Sequence, residues 1–266
     1  MVAITLFGAS GRVGRALGAA ILAADDLELA AVSGKRHAGQ DYGTLLGDAP
    51  SGLTIAGDAG SALAAPGSVV IDYTKPGAVK ANVLAALDAG RHVVIGTSGL
   101  TADDYDEIDG SARAAGKGVL AAGNFSITAT LLRRFALEAA RYVEDVEIID
   151  YGPGTKTDVP TGTARELAEM LGPVAGPSSS VPVEELTGTP ATRGAAMGSP
   201  RAVQVHSVRV PSYALSCEAI FGADNERLTI RHDAGASTAP YVAGTLLAAR
   251  KVHQWTGLRR GLDHVL

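Results

Sequence analysis

Two groups of residues in this chain have the types and spacing to do chemistry. In the first, Gly8, Gly11 and Gly14 of GASGRVG recur every third position. They follow the apolar run Val2 to Phe7 and precede the Ala-rich stretch Arg15 to Ala24. Strand, glycine turn and helix in that order form a G-x-x-G-x-x-G dinucleotide-binding turn. Gly8 permits the sharp turn, Gly11 the close approach of a pyrophosphate, and Gly14 the packing of helix on strand. The first turn of the helix offers unpaired N–H groups and a positive dipole end to phosphates. Gly8, Ser10, Gly11, Arg12 and Val13 are therefore the expected phosphate contacts. The plain alternative is a glycine-rich turn in some other α/β protein, and the position directly after an N-terminal strand argues against it. In the second group, Lys156 precedes Thr161-Gly162-Thr163 at the start of a helix. Backbone N–H groups, two hydroxyls and a nearby ammonium suit a substrate carboxylate.

The elements that must hold these groups read as alternating strands and helices. Leu27 to Ser33 is a second strand, and its end should meet the adenosine ribose. An NAD-selective site commonly has a carboxylate there, whereas this chain has Ser33-Gly34-Lys35-Arg36. Two adjacent cations suit a 2′-phosphate, which points to NADPH over NADH, NADH remaining possible. A solvated basic turn is the competing account of Lys35 and Arg36. Gln40 to Ala64 is polar, without a clear period. Ser68 to Tyr73, His92 to Ile95 and Gly118 to Ala122 are further buried strands. They end in polar turns at Thr74, at Gly96-Thr97-Ser98 and at Gly123-Asn124-Phe125. Such alternation predicts an α/β, doubly wound parallel sheet of Rossmann type with its ligand at the carboxyl ends of the strands.

Further on, Ser126 to Tyr142 reads as a helix with Leu132, Phe135, Ala136 and Ala139 on one face. Val143 to Tyr151 alternates as a strand. Leu171 to Arg201 is irregular and rich in Pro, Ser and Gly. Strands are expected over Val203 to Val210, Tyr213 to Phe221 and Arg227 to His232. Thr238 to Trp255 reads as a helix, with Gly257 to Leu266 as a tail.

Composition limits the alternatives. A chain of 266 residues with 46% hydrophobic residues can build a sizeable core. A net charge of −5, with no extended Lys/Arg cluster, argues against nucleic-acid binding. No apolar run is long enough for a membrane span, and the start has no basic leader with a cleavage site. The single cysteine, Cys217, excludes an internal disulfide and suggests the cytoplasm. No cluster of metal-binding residues stands out.

Read together, GASGRVG, IDYTKP, IGTSGL, AAGNFS, VEIID, KTDVPTGTA and ERLTIRHDA make the chain resemble the dihydrodipicolinate reductase family along nearly its whole length. The resemblance implies an NAD(P)H reductase of lysine and diaminopimelate biosynthesis, usually a homotetramer. It implies a nucleotide domain over 1–125 and 234–266, and a substrate-binding and oligomerisation domain over 126–233, α+β with an open mixed sheet. It also implies that Gly96, Thr97 and Ser98, with Gly123, Asn124 and Phe125, line the nicotinamide. Lys156, Thr161, Gly162 and Thr163 would then hold substrate carboxylates.

The departures from that family pattern bear on mechanism. The family's histidine pair, one member of which is assigned as proton donor, is replaced by Gly152 and Pro153, and neither can transfer a proton. A family arginine is replaced by Ser237, and a glycine–glutamate–histidine segment by Leu215-Ser216-Cys217. Lys156 is one candidate acid. Tyr151 is the other, although alternation along a strand turns it away from Gly152. The resulting expectation is a reductase of a small carboxylated C=N or conjugated C=C compound, either 4-hydroxy-tetrahydrodipicolinate or a relative. The rival is a nucleotide-binding sensor or assembly protein that has lost catalysis.

Overall fold

The structure is a computed structural model describing residues 1–266. In chain order it runs β1 (Val2–Phe7), α1 (Arg12–Leu22), β2 (Leu27–Ser33), α2 (Tyr42–Leu46), α3 (Ala59–Leu63), β3 (Val69–Asp72) and α4 (Pro76–Asp88). Next come β4 (His92–Ile95), α5 (Ala102–Ala115), β5 (Gly118–Ala121), α6 (Ile127–Ala139), β6 (Asp145–Gly152) and α7 (Gly162–Leu171). The chain closes with β7 (Ala195–Met197), β8 (Val203–Arg209), β9 (Leu215–Ala223), β10 (Glu226–Ala234), α8 (Ala239–Lys251) and β11 (Gly257–Arg260). It divides into two compact units, Met1–Ile127 with Thr238–Leu266, and Thr128–Ser237.

In the first unit six strands form a parallel sheet in the order β11-β5-β4-β3-β1-β2. Strands β3, β4 and β5 are short and apolar because helices cover both faces of a parallel sheet. Helix α1 lays Leu17 and Ile21 into one core layer, and α4 and α5 give Val79, Val83, Ile108 and Ala112 to the other. Helix α5 starts at a reciprocal cap in which the Asp104 N–H donates to Thr101 Oγ1 and the Thr101 N–H to Asp104 Oδ2. It ends at Gly116 in the left-handed region, φ 65°.

Three stretches depart from the expectation, the first being Leu171–Arg201, read as irregular, where Ala195–Met197 forms β7 and pairs antiparallel with β8. The Gln40–Ala64 region, which shows no period, holds the short helices α2 and α3, capped by Asp41 and Asp58. Local side-chain caps rather than an amphipathic stripe define them. The expected tail after Gly257 instead supplies β11, which pairs with β5 as an edge strand. Its Leu258-Arg259-Arg260 run is too short and too charged to read as a strand alone.

The second unit is built on a mixed sheet in the order β10-β9-β6-β8-β7, with β6 and β8 parallel and the other pairs antiparallel. Along β6 burial alternates strictly. Val146 and Ile148 face the core with Leu132, Ala136, Leu167 and Phe221, while Glu147, Ile149 and Tyr151 lie on the opposite face. Phe135, placed on the core face of α6 by its spacing, is 53% exposed. At 100° per residue it stands at the margin of the stripe that Leu132 and Ala136 define.

Candidate active site

The glycine turn lies at the carboxyl end of β1, between β2 on one side and β3 on the other. This is where the strand order reverses, and where open α/β sheets leave a crevice for ligands. Gly8 has φ +77°, and a β-carbon there would stand 2.3 Å from the Tyr73 carbonyl oxygen. A β-carbon on Gly14 would stand 2.2 Å from the Gly8 carbonyl oxygen. Both positions therefore need glycine to keep the turn tight. Gly11 and Arg12 are exposed at the start of α1, with Ser10 and Val13 half-buried beside them. The first-turn amides of α1 have no side-chain cap, which leaves them free for an anion. Lys35 and Arg36 form a short 3-10 turn after β2, and both side chains are exposed.

A buried carboxylate ties together two of the turns expected near the nicotinamide. Asp72, at the end of β3, is fully buried. It accepts from the Thr74 N–H (2.9 Å), Thr74 Oγ1 (2.7 Å), Asn82 Nδ2 (2.8 Å) and Thr97 Oγ1 (2.7 Å). A charged acceptor makes strong hydrogen bonds, so the β3 and β4 turns are held as one piece. Beneath them the Tyr73 ring lies against Gly96, where a β-carbon would stand 2.1 Å from the ring. Ser98 is exposed, as is Gly123 at the end of β5. Asn124 Oδ1 accepts from the Ser126 N–H at 2.8 Å, and Phe125 is buried at 6.1 Å from the Tyr73 ring. All fourteen expected nucleotide residues thus fall in the first unit, at the carboxyl ends of its strands.

The second unit carries the lysine loop. Asp150 on β6 is also fully buried. It accepts from the Thr161 N–H (3.0 Å), Thr161 Oγ1 (2.6 Å), Ser207 Oγ (3.1 Å) and Arg209 Nη2 (2.7 Å). The Thr161 hydroxyl is therefore a donor to Asp150 and the cap of α7, rather than the free hydroxyl its position in the sequence suggested. Gly162 and Thr163 remain at the open start of α7, with Gly162 exposed. Lys156 Nζ pairs with Asp158 Oδ1 at 2.8 Å. The hydrogen bond from Lys156 holds the Asp158 carboxyl below its ordinary range.

Arg209 is the residue that sequence reasoning missed. Its Nη2 also donates to the Asp158 carbonyl, 2.9 Å. A β-carbon at Gly152 would stand 3.1 Å from Lys156 Cδ and 3.4 Å from Arg209 Cζ. Where the family pattern has a histidine, this chain has the flanks of two cations. The signal lay in register: Gly152 pairs with Arg209 across the parallel β6–β8 ladder, 57 positions apart in the sequence.

Tyr151 requires a correction. It stands on the face of β6 opposite Asp150 and Gly152, and its hydroxyl donates to Glu218 Oε2 at 3.1 Å. The Tyr213 ring packs against it, tilted by 35° with centroids 4.8 Å apart, and Arg231 lies over the Tyr151 ring, also at 4.8 Å. Burial and the Glu218 carboxylate push its phenol pKa up. Strand alternation thus removes Tyr151 from the lysine loop. His206 bonds to Glu147 at 2.7 Å on that same outer face.

A parallel doubly wound sheet with this glycine turn, joined in one chain to an α+β unit with a cationic, amide-lined loop, is the arrangement of a dinucleotide-dependent oxidoreductase. Family models described as dihydrodipicolinate reductase, N-terminus and C-terminus, match residues 2–125 and 128–266. The 4-hydroxy-tetrahydrodipicolinate reductase of Synechococcus elongatus is 36% identical over 272 residues, covering 100% of this chain and 98% of the relative. That of Desulfitobacterium hafniense is 36% identical over 267 residues, with the same coverage. A dipicolinate-bound dihydrodipicolinate reductase from Paenisporosarcina sp. TG-14 superposes with a TM-score of 0.87 at 27% identity, covering all of both chains. An amine dehydrogenase from Mycobacterium smegmatis, 12% identical with a TM-score of 0.68, shares the fold.

The chain belongs to the dihydrodipicolinate reductase family and is an NAD(P)H-dependent oxidoreductase of that type. No finding favours the sensor or assembly reading over this one. No helix is long and apolar enough to cross a membrane.

Proposed function

We propose that the protein is an NADPH-preferring reductase of a cyclic, carboxylated imine or enamine: 4-hydroxy-tetrahydrodipicolinate or a close relative of it. The observation that carries this reading is the Lys156 loop. An ammonium and the open amides of Gly162 and Thr163 sit on a frame set by Asp150 and Arg209. Such a frame costs little reorganisation when it takes up a carboxylate.

The free α1 amides, the tight turn that Gly8 and Gly14 permit, and the exposed Lys35 and Arg36 fit a phosphorylated dinucleotide. A bound dihydronicotinamide supplies the hydride. In this proposal Gly8, Ser10, Gly11, Arg12 and Val13 hold the pyrophosphate, and Lys35 and Arg36 the 2′-phosphate. Thr74, Gly96, Thr97, Ser98, Gly123, Asn124 and Phe125 orient the nicotinamide end. Lys156, Gly162 and Thr163 hold the substrate carboxylates. With no histidine between Gly152 and Thr161, the Lys156 ammonium is the proton donor of the loop. We further propose that the first unit is the nucleotide domain, that the second also serves oligomerisation, and that the enzyme acts as a cytoplasmic homotetramer.

The test is NADPH oxidation with synthesised 4-hydroxy-tetrahydrodipicolinate beside a panel of cyclic imino acids. Dipicolinate serves as a competing planar dicarboxylate. Turnover of a carboxylated cyclic imine, inhibited by dipicolinate, is expected. NADPH binding without turnover of any member of the panel would favour the sensor reading instead.

A further inference from the structure

The glycine turn is braced from behind by a tyrosine that belongs to no dinucleotide motif. Tyr42 opens α2 and is fully buried. Its hydroxyl lies 3.2 Å from the carbonyl oxygen of Ala9 and 3.0 Å from that of Gly14, both within the GASGRVG turn. One phenolic proton shared between two carbonyls makes a three-centre bond. Burial pushes the phenol pKa well up, so the hydroxyl stays a donor.

Room for this hydroxyl comes from Gly18 on α1. A β-carbon there would stand 2.0 Å from Tyr42 Oη, so any larger residue at 18 would expel it. The tyrosine is itself fixed in place. Asp41, the cap of α2, accepts from the N–H groups of Thr44, Ser51 and Gly52 at 3.0, 3.0 and 2.8 Å.

Peptide planarity carries this contact through to the ligand side. In a trans peptide the C=O and the following N–H point in opposite directions. With the Ala9 carbonyl turned inward to Tyr42, the Ser10 N–H is turned outward, and it donates to no backbone carbonyl. Arg15 Nε holds the next carbonyl, that of Ser10, at 3.2 Å. We propose that Tyr42 is a positioning residue for the pyrophosphate of the dinucleotide: its hydroxyl fixes the Ala9–Ser10 peptide so that the Ser10 N–H faces the phosphate. Tyr42 does not touch the ligand. The proposal rests on the nucleotide-site reading above.

The experiment compares the parent protein with Tyr42→Phe, which keeps the ring and removes the hydroxyl. Affinities are measured for NADPH, for ADP-ribose 2′-phosphate, and for adenosine 2′-monophosphate, which lacks the pyrophosphate. Tyr42→Phe is expected to weaken the first two by about three- to tenfold, the range of one lost hydrogen bond, and to leave the third unchanged. Gly18→Ala, which displaces the hydroxyl while improving helix propensity, is expected to give the same pattern and covers the case in which Tyr42→Phe does not fold. A purely structural role would weaken all three ligands together or lower Tm alone. Either result, or unchanged NADPH affinity in the variants, would overturn the proposal. A parent protein that binds none of the three would instead overturn the nucleotide-site reading itself.

Discussion

Arg209, half-buried, forms an ion pair with the fully buried Asp150, Nη2 to Oδ2 at 2.7 Å, that fastens the Lys156 loop at both of its ends. Asp150 stands two residues before the loop's exit from β6 at Gly152 and holds Thr161, where the loop enters α7. Arg209 adds a bond to the Asp158 carbonyl midway along. Arg209→Met leaves the Asp150 carboxylate buried without its cation, which costs about 3–5 kcal/mol of stability. Thermal denaturation should show the loss, and kcat/KM should fall because the loop is no longer held. Arg209→Lys should recover part of the stability but less of the activity, since an ammonium does not span both acceptors. Equal recovery of both would indicate that charge alone matters.

Lys156→Ala is expected to lower kcat/KM by about 10²-fold or more while leaving NADPH affinity near the parent value. The reason is location: Lys156 belongs to the second unit, and every expected nucleotide residue to the first. Steady-state kinetics beside a fluorescence titration of NADPH separates the two effects. Near-parent turnover would remove lysine from both the carboxylate and the acid roles.

Cofactor preference should depend on Lys35 and Arg36, which are exposed on the 3-10 turn after β2. Replacing both with alanine should weaken NADPH by roughly tenfold, at about 1.5–3 kcal/mol for a charge-assisted bond less solvent screening. NADH should change little. Equal affinities for the two nucleotides in the parent protein would refute the 2′-phosphate assignment.

Stability should fall as pH drops through the ordinary histidine value of 6.5, in part because of His92. Burial, with Lys117 and His253 nearby, lowers its pKa, and its Nδ1 must stay unprotonated to accept the Gly118 N–H at 2.9 Å. Below 6.5 the unfolded chain binds a proton that the folded chain resists, so the folded state loses stability as pH decreases. His92→Asn keeps an acceptor but cannot titrate. Its Tm should therefore vary less with pH in this range, and an unchanged pH slope would exclude the histidine.

What the sequence determined by itself is local. The glycine turn, the buried strands and the polar turns at Thr74, Thr97 and Asn124 each follow from residues within about ten positions of one another. Sheet order then brings those turns together at the carboxyl ends of the strands. The motifs quoted from GASGRVG to ERLTIRHDA were sufficient to identify the family. Side-chain assignments fared less well wherever a partner came from a distant strand. Thr161 is consumed by Asp150 rather than free, Tyr151 faces Glu218 rather than the loop, and Arg209 reaches Gly152 across a ladder joining residues 57 apart. Tyr42, in a stretch without periodicity, braces a turn some thirty residues before it because Gly18 leaves the space. Propensity and pattern set which elements form, since they depend on neighbours along the chain. Which side chains meet is set by strand register and by the gaps glycines leave, and these exist only once the sheets have closed.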